Sequence, residues 1–404
     1  MNGLAKMKPY MQIGGSAMYD VIIVGGGIIG CSIAWQLGKK GKKVLMLERG
    51  DTADGSAGAT DGFVGCHTKK PGPQLDLAIR SIRMFDEIRE ELGGDVDYEI
   101  GAGGMQPVED REQWDILAQM VEKQQKSGVD VRMITAEEAF EIVPQLSRDI
   151  CGALYSPSAN KINPLKLTFA FLRLAKECGV EVVNGALVNG FLIENGCCKG
   201  VISTKGEFRA SAVVNCCGSW AGKVAKLAGL DLPIKPRKGQ LAVTEPIGFY
   251  MSPTLQCARY NVIKFRPESI KDETVLRLGS SMNIVQTADG GLVFGGTREF
   301  VEFQDENTFE AIETMCKRVL RFLPGLKDLS VIRFFSGFRP YTPDGLPLLG
   351  EVSTLPGFYM AAGHEGDGIA MSPITGKLMA ELIAEGKPSY NIDAFSPNRF
   401  LKGK

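Results

Sequence analysis

Tyr19-Asp20-Val21-Ile22-Ile23-Val24 runs directly into Gly25-Gly26-Gly27-Ile28-Ile29-Gly30. A helix-like segment follows through Leu37, and a second apolar run, Lys43 to Leu47, ends on Glu48. Strand, GxGxxG, helix, strand and acid at this spacing make up the dinucleotide-binding fingerprint in its full context. Each residue type has a physical task there. Gly25 allows the tight turn, Gly27 lets backbone approach a pyrophosphate with no Cβ in the way, and Gly30 lets helix and strand pack closely. The helix N-terminus presents free N–H groups and a positive dipole end to phosphate. Glu48 is placed to accept hydrogen bonds from ribose hydroxyls. The bland alternative is a glycine-rich turn that binds nothing.

The chain has 404 residues, enough for one large domain or two ordinary ones. Apolar residues make up 44% and charged residues 23%, which supports a substantial core. A net charge of -1 argues against nucleic acid or an anionic membrane as a partner held by bulk electrostatics. No apolar run is long enough to span a bilayer. Residues 1–17 show no apolar stretch of the signal-peptide kind, and Met18 is an alternative start with a leader or loose arm before it. The ten cysteines include no Cys-x-x-Cys pair, and Cys197-Cys198 and Cys216-Cys217 are adjacent. Adjacent cysteines suit neither one chelated metal nor a mutual bridge, so the set reads as thiols in a reducing cytoplasm. With only His67 and His364, no histidine-rich metal site is expected, nor an iron–sulfur cluster on this chain.

Strand-like and helix-like blocks alternate with no repeat and no Pro/Gly-rich linker. Helices are expected around Leu75 to Leu92, Gln113 to Ser127, Ala136 to Ile142, Pro164 to Cys178 and Glu306 to Phe322, with an amphipathic helix closing the block that ends at Glu385. Strands are expected at Val180 to Val183, Gly200 to Ser203, Ala212 to Asn215, Gln240 to Val243 and Gly291 to Gly296. This pattern predicts an α/β fold of two interleaved domains rather than two beads.

Five blocks then carry a resemblance. They are the fingerprint with Glu48; the small-residue loop Gly55 to Val64; Val213 to Ala221, which holds Cys216-Cys217-Gly218-Ser219-Trp220; Leu232 to Gln240; and Gly337-Phe338-Arg339-Pro340-Tyr341-Thr342-Pro343-Asp344-Gly345 to Gly350 with Gly363-His364-Glu365-Gly366-Asp367-Gly368. With these blocks in this order, the chain resembles FAD-dependent oxidoreductases of the D-amino-acid oxidase type. That group includes glycine oxidase, sarcosine oxidase and the catalytic subunits of proline and hydroxyproline dehydrogenases.

The resemblance implies a Rossmann-type FAD-binding domain (19–95, 150–230 and 333–390) interleaved with a mixed-sheet α+β substrate domain (96–149 and 231–332). It implies FAD contacts from Gly25, Gly27, Ile28, Ile29, Gly30, Glu48 and Arg49; from Gly55, Ser56, Ala59, Thr60 and Gly62; and from Val188, Cys217, Gly218 and Trp220. Arg339, Gly363, His364, Gly366, Asp367, Gly368 and Ile369 complete the set. The glycine-rich Gly363 to Gly368 ahead of a helix would aim N–H groups at the pyrimidine edge of the flavin, where reduced flavin is negative. Pro373 is either a first-turn proline of that helix or a kink. Phe338-Arg339-Pro340-Tyr341-Thr342 holds no cysteine and the early loop Gly55 to Gly65 no histidine, so against the family's covalent members FAD is expected to be non-covalent, the alternative being attachment through His67.

A substrate carboxylate is held best by a planar, permanently charged fork. The family's Gly-x-Arg-Pro arginine has this role, which the resemblance carries to Arg339. The alternative is a structural arginine paired with Asp344 or another acid. Tyr341 and Thr342 would line the same wall. His67, in Gly65-Cys66-His67-Thr68-Lys69-Lys70-Pro71-Gly72, either helps deprotonate the substrate amine or is a structural histidine. His364 either contacts the cofactor or caps backbone groups. Lys69 and Lys70 read as a solvated corner.

The implied activity is oxidation of the C–N bond of an amino or imino acid by hydride transfer to FAD. Candidate substrates are a D-amino acid, D-proline or hydroxyproline, an N-substituted glycine or an opine. The branch resemblance implies a dehydrogenase subunit that works beside a second flavoprotein and a small iron–sulfur protein. The alternatives are a stand-alone oxidase using oxygen, an aromatic-ring monooxygenase, and a flavin electron-transfer subunit with no substrate of its own.

Overall fold

The computed structural model describes residues 18–401 apart from 267 and 269, with backbone only at 264 and 265, so the expectation for residues 1–17 lies outside the described residues. Two sheets of eight strands each organise the chain. Across the first the order is Leu348–Glu351, Phe358–Ala362, Gly206–Asn215, Tyr19–Val24, Val44–Leu47, Glu181–Val183. All neighbours along this path run parallel except the outermost pair, Leu348–Glu351 with Phe358–Ala362. The hairpin Val188–Glu194 and Cys197–Ser203 adds antiparallel to the early part of Gly206–Asn215. Val44–Leu47 is buried at every position, as a central strand covered on both faces must be.

One face of this sheet is covered by the helices Ile28–Lys39, Pro73–Glu87, Pro164–Glu177 and Gly368–Glu385. The opposite face carries the second cluster, built around Ile22, Leu45, Val213 and Phe358 with Ala221 and Ala225 from the short helix Ala221–Leu227. The closing helix is not amphipathic as expected. It is buried almost all round from Ile369 to Glu381, because it lies between Ile28–Lys39 and Pro73–Glu87. Pro373 sits inside this helix, which begins at Gly368. The Ile369 carbonyl, which a proline four residues on cannot serve, accepts the Ser372 hydroxyl at 2.9 Å instead. The expected long helix at Leu75 to Leu92 is two, Pro73–Glu87 and Arg89–Leu92, joined at Ile88.

The second sheet has the order Val331–Tyr341, Lys235–Thr244, Leu292–Gly295, Asn283–Gln286, Thr254–Gln256, Gly104–Val108, Gly152–Ser156, Arg132–Ile134. Its pairs are antiparallel except Thr254–Gln256 with Gly104–Val108. Period-two alternation divides its faces. Ala242, Leu255, Ile284 and Phe294 point into a core shared with Met315, Val319 and Phe322 of the helix Phe309–Phe322. Gly239, Gln256, Asn283 and Arg339 look the other way, toward the first sheet. Gly152–Ser156 pairs inside this second sheet, and Val331–Tyr341 forms its edge, so domain cuts at 149/150 and 332/333 each part a strand from its partners or divide it. No helix among the described residues is long and apolar enough to cross a membrane.

The helices Ile28–Lys39 and Gly368–Glu385 meet closely at Gly376. A Cβ there would stand 2.1 Å from Ser32 Oγ and 2.9 Å from the Ser32 backbone, while Ser32 Oγ itself donates to the Ser372 carbonyl at 2.8 Å. Gly376→Ala is therefore expected to lower unfolding free energy by about 1–3 kcal/mol, despite alanine's better helix propensity. Urea denaturation followed by circular dichroism checks this, and an unchanged midpoint would mean that the two helices part without cost.

Candidate active site

The fingerprint turn is shaped by contacts that leave no room for side chains. Gly25 adopts φ +111°, and a Cβ on it would lie 2.7 Å from the Cys216 carbonyl oxygen. A Cβ on Gly30 would lie 2.0 Å from the Gly25 carbonyl oxygen. Gly27 differs: it is extended (φ −78°, ψ 178°), and a Cβ on it would meet no protein atom within 4 Å. That open space is a cavity of about 340 Å³. Its walls include Gly25, Gly27, Ile28, Ile29, Glu48, Arg49, Gly55, Ser56, Val188, Cys217, Gly218, Trp220, His364 and Gly368. The Glu48 carboxylate accepts the N–H of Gly26 at 2.7 Å and of Gly50 at 2.9 Å, which fixes it at the end of its strand facing this cavity. The Arg49 guanidinium stacks 3.9 Å from the Trp220 ring centroid, closing one side.

A second cavity of about 110 Å³ continues from the first through Ile28, Ser56, Ala57, Glu365 and Gly368, which line both. Ala59, Thr60, Gly366, Asp367 and Ile369 line it, as does Arg339. Three residues of the expected set do not reach either cavity. Gly30 packs on the Gly25 turn, Gly62 lies against the Ile162 carbonyl, and Gly363 lies against Thr342 and Pro347. Their lack of a Cβ serves packing behind the walls.

Arg339 lies on the edge strand Val331–Tyr341, directly opposite Arg237. Gly239 on the neighbouring strand makes its space, since a Cβ there would stand 2.2 Å from an Nη of Arg339. One Nη donates to the Thr297 carbonyl at 2.8 Å. Burial, with Arg298 nearby, lowers its pKa to about 10. Asp344 is not its partner: that carboxylate pairs with Arg399 at 2.7 Å. Among the described residues Arg339 forms no ion pair. Arg237, by contrast, pairs with Glu365, and burial beside Arg298 and Arg339 lowers its pKa to about 9.

The other two expected catalytic residues do not line the cavity. His67 is fully buried behind the wall. Its Nε2 meets Gln256 Oε1 at 3.0 Å, and Gln256, not His67, reaches the cavity. Tyr341 is turned toward Arg237 and Phe300, with ring centroids 4.9 Å apart in the second pair. His364 does line the larger cavity and contacts Thr375 Oγ1 at 3.1 Å.

Lys69 is not a solvated corner. It is wholly buried, its Nζ lies 2.9 Å from Asp367 Oδ1, and it donates to the Gly65 carbonyl at 2.6 Å. Lys70 is exposed. Asp61, Gln256, Tyr260 and Asn283 line the smaller cavity and were not singled out from sequence. Of these only Asp61 left a signal, as the acid within a loop of small residues.

Burial lowers the pKa of both His67 and His364 to about 4, so both are neutral in the fold at pH 7 and at pH 5. In the unfolded chain they charge near 6.5. The unfolded state therefore takes up protons first, and stability is lost as pH falls from about 6.5 toward 4. Between pH 7 and pH 5 each histidine should remove roughly 2 kcal/mol. Denaturant titrations at the two pH values check this. His67→Gln and His364→Gln should each shrink the difference, and an undiminished difference in both would place the effect elsewhere.

A dinucleotide fits the larger cavity on structural grounds. The turn is open where Gly27 lacks a Cβ, the helix Ile28–Lys39 starts there, and Glu48 stands at the far side. Comparison with known proteins agrees. The bifunctional protein ThiO/ThiG of Synechocystis is 32% identical over 390 residues, covering 95% of this chain and 54% of that protein, so the chain spans about half the length of that relative. Glycine oxidase of Geobacillus kaustophilus is 29% identical, covering 95% and 97%. The hydrogen cyanide synthase subunit HcnC of Pseudomonas aeruginosa is 27% identical, covering 95% and 96%. Among solved structures, L-proline dehydrogenase from P. horikoshii superposes with a TM-score of 0.85 at 29% identity, covering 96% and 99%. Geobacillus kaustophilus glycine oxidase superposes with a TM-score of 0.84 at 27% identity, covering 95% and 100%. Residues 20–382 match the family described as FAD dependent oxidoreductase (DAO), and the chain belongs to it.

Proposed function

We propose that this chain oxidises the C–N bond of an amino or imino acid and works as a dehydrogenase, with Arg339 holding the substrate carboxylate. The observation that carries this reading is a desolvated guanidinium on the wall of a cavity with no ion-pair partner among the described residues. Burying such a charge costs several kcal/mol unless an anion meets it, and a carboxylate matches its fork. Bound FAD would supply the acceptor for the hydride that leaves the α-carbon. The chain's residues position the rest. Gln256, Asn283 and Tyr260 form polar walls, Gly239 and Gly337 keep the roof thin, and Ile28, Phe63 and Ile369 exclude water. His67 orients Gln256 from behind. The substrate class is an amino acid, a cyclic imino acid such as proline or hydroxyproline, an N-substituted glycine or an opine. A pure electron-transfer role gives no reason for Arg339 to face the cavity.

The similarity to L-proline dehydrogenase and to a protein named as a subunit supports a catalytic subunit in a hetero-oligomer, with a second flavoprotein and an iron–sulfur protein as its electron route. The ten cysteines are all free, which supports a cytoplasmic location. We further read FAD as non-covalently held, the first sheet as its domain and the second sheet as the substrate domain. The similarity to glycine oxidase favours a second reading, a stand-alone oxidase.

An anaerobic panel of amino and imino acids should bleach the flavin of the holoenzyme, and dye turnover should far exceed oxygen consumption. Oxygen consumption equal to dye turnover would favour the oxidase. Arg339→Lys should keep the flavin while lowering kcat/KM for carboxylate substrates by about 2–4 kcal/mol, because a point charge does not reproduce the fork. An amine without a carboxylate should be much less affected, and equal losses would make the arginine structural. The backbone at Gly27 is one that valine adopts readily, so Gly27→Val should fold and purify without colour. Normal flavin content in that variant would refute the cavity assignment, and flavin retained after denaturation would refute non-covalent binding.

A further inference from the structure

We propose that Asp61 receives the substrate's ammonium group and takes its proton before the α-carbon is oxidised. This rests on the reading above, that the cavity oxidises amino acids. Asp61 lies in the small-residue loop and lines the same cavity as Arg339. It accepts the Phe63 N–H at 3.2 Å and a hydrogen bond from the Asn283 side-chain amide. That second bond turns the Asn283 amide so that Nδ2 faces Asp61. Asn283 Oδ1 is left buried without a hydrogen-bond partner among the described residues, on a side chain that also lines the cavity. A carboxylate and a vacant carbonyl oxygen thus stand side by side, which is an acceptor pair suited to an ammonium donor.

The charges around the cavity single out Asp61. Two other carboxylates line it, Glu365 and Asp367, and both are already neutralised, by Arg237 and by Lys69. Asp61 forms no ion pair among the described residues. The other charged and titratable groups facing it are Arg339 from the edge strand and Tyr260 from the helix Arg259–Phe265, with Arg298 against the Tyr260 ring. A zwitterion laid between Arg339 and Asp61 meets a cation with its carboxylate and an anion with its ammonium. Burial pushes the Asp61 carboxyl above its usual range, opposed by the Phe63 N–H and by Arg339, which moves it toward the basicity a proton acceptor needs. In the step itself an N–H bond of the ammonium breaks and an O–H bond on Asp61 forms. The lone pair left on nitrogen would then become the second C–N bond as the α-hydride leaves, for which bound FAD would supply the acceptor.

Asp61→Asn preserves shape and removes the base. In the holoenzyme the wild-type rate of flavin reduction should be flat with pH above the Asp61 pKa. The variant should be about 10²–10⁴-fold slower near neutrality, and its rate should rise about tenfold per pH unit as free amine accumulates in solution. Binding supplies a readout apart from turnover. 2-Aminoisobutyrate, which has no α-hydrogen, and isobutyrate differ only in the amine, and both can be titrated by thermal shift. Wild type should favour the amino acid at least about tenfold, and the variant should lose that preference. Asp61→Glu, which keeps a carboxylate, should slow the reaction yet retain a flat neutral profile, and this serves if Asp61→Asn does not fold. An Asp61→Asn enzyme with the wild-type profile and preference overturns the proposal while leaving amino-acid oxidation intact. A wild-type flavin that no amino or imino acid bleaches overturns both.

Discussion

The carbonyl oxygen of Phe338 accepts two hydroxyls at once, Ser56 Oγ at 2.5 Å and Ser219 Oγ at 2.6 Å. The rest of the site depends on this junction. Phe338 belongs to the edge strand of the second sheet, whereas Ser56 and Ser219 come from two turns that follow strands of the first. The carbonyl is free to do this because of register. Opposite it, Lys238 exchanges both of its backbone hydrogen bonds with Glu299, so this is a pair whose polar groups point away from each other. An edge strand normally presents such groups to solvent, and here two serines cover them. The next residue is Arg339. The bonds that close the first sheet's turns on the second sheet therefore also set the position of the guanidinium.

A second constraint acts from the other wall. Lys69 and Asp367 form a buried pair, and a buried ion pair is sustained only when its remaining donors and acceptors are satisfied. They are satisfied here. Gln74 donates to Asp367 Oδ2 at 2.8 Å, the Gly65 carbonyl takes another Lys69 proton, and Gln124 braces the loop through the carbonyls of His67 and Lys69. The network ties the loop carrying His67, Thr68 and Lys69 to the residue that precedes the closing helix. His67 in turn fixes Gln256. Of the segment read from sequence as a candidate catalytic stretch, His67 and Lys69 stand one layer behind the cavity, and Thr68 between them lines it.

Much of the fold was legible because local signals and global structure agree. Tyr19–Val24 emerged with both ends correct, and so did Ala136–Ile142, whose start the capping box of Thr135 and Glu138 fixes in the fold. Legibility failed where tertiary burial overrides local pattern. The closing helix carries few polar residues because helices cover two of its sides, and no one-helix pattern reveals that. Lys235–Thr244 was read only from Gln240, since Lys235, Pro236, Arg237, Lys238 and Gly239 look unlike a strand until Val331–Tyr341 pairs with them along their whole length. In the site, cavity-lining residues that sit in a glycine-rich motif were readable. Gln256 and Asn283 were not, because a polar residue facing a cavity and one facing water leave the same alternation in a strand, and Tyr260, on the helix Arg259–Phe265, stands in no motif. Lys69 was misread for the related reason that a charged pair in sequence carries no mark of burial.

The electrostatics of the two walls follow from how these pairs are distributed. The helix Gly368–Glu385 begins at the cavity with the partial positive charge of its first turn, and the two acids just before it, Glu365 and Asp367, would by themselves reverse that field. Each is neutralised by a cation from a different part of the fold, Arg237 from the second sheet and Lys69 from the loop after Phe63. The helix end is thereby left positive. Arg339 adds a charge that no protein carboxylate within ion-pair reach cancels among the described residues. The positive features of the narrow space between helix and sheet are therefore the helix end and Arg339, with Asp61 the one carboxylate of the cavity outside an ion pair among the described residues. Such a space favours an anionic ligand flat against the helix end and a carboxylate under the sheet. The sequence spends two buried ion pairs on keeping it so.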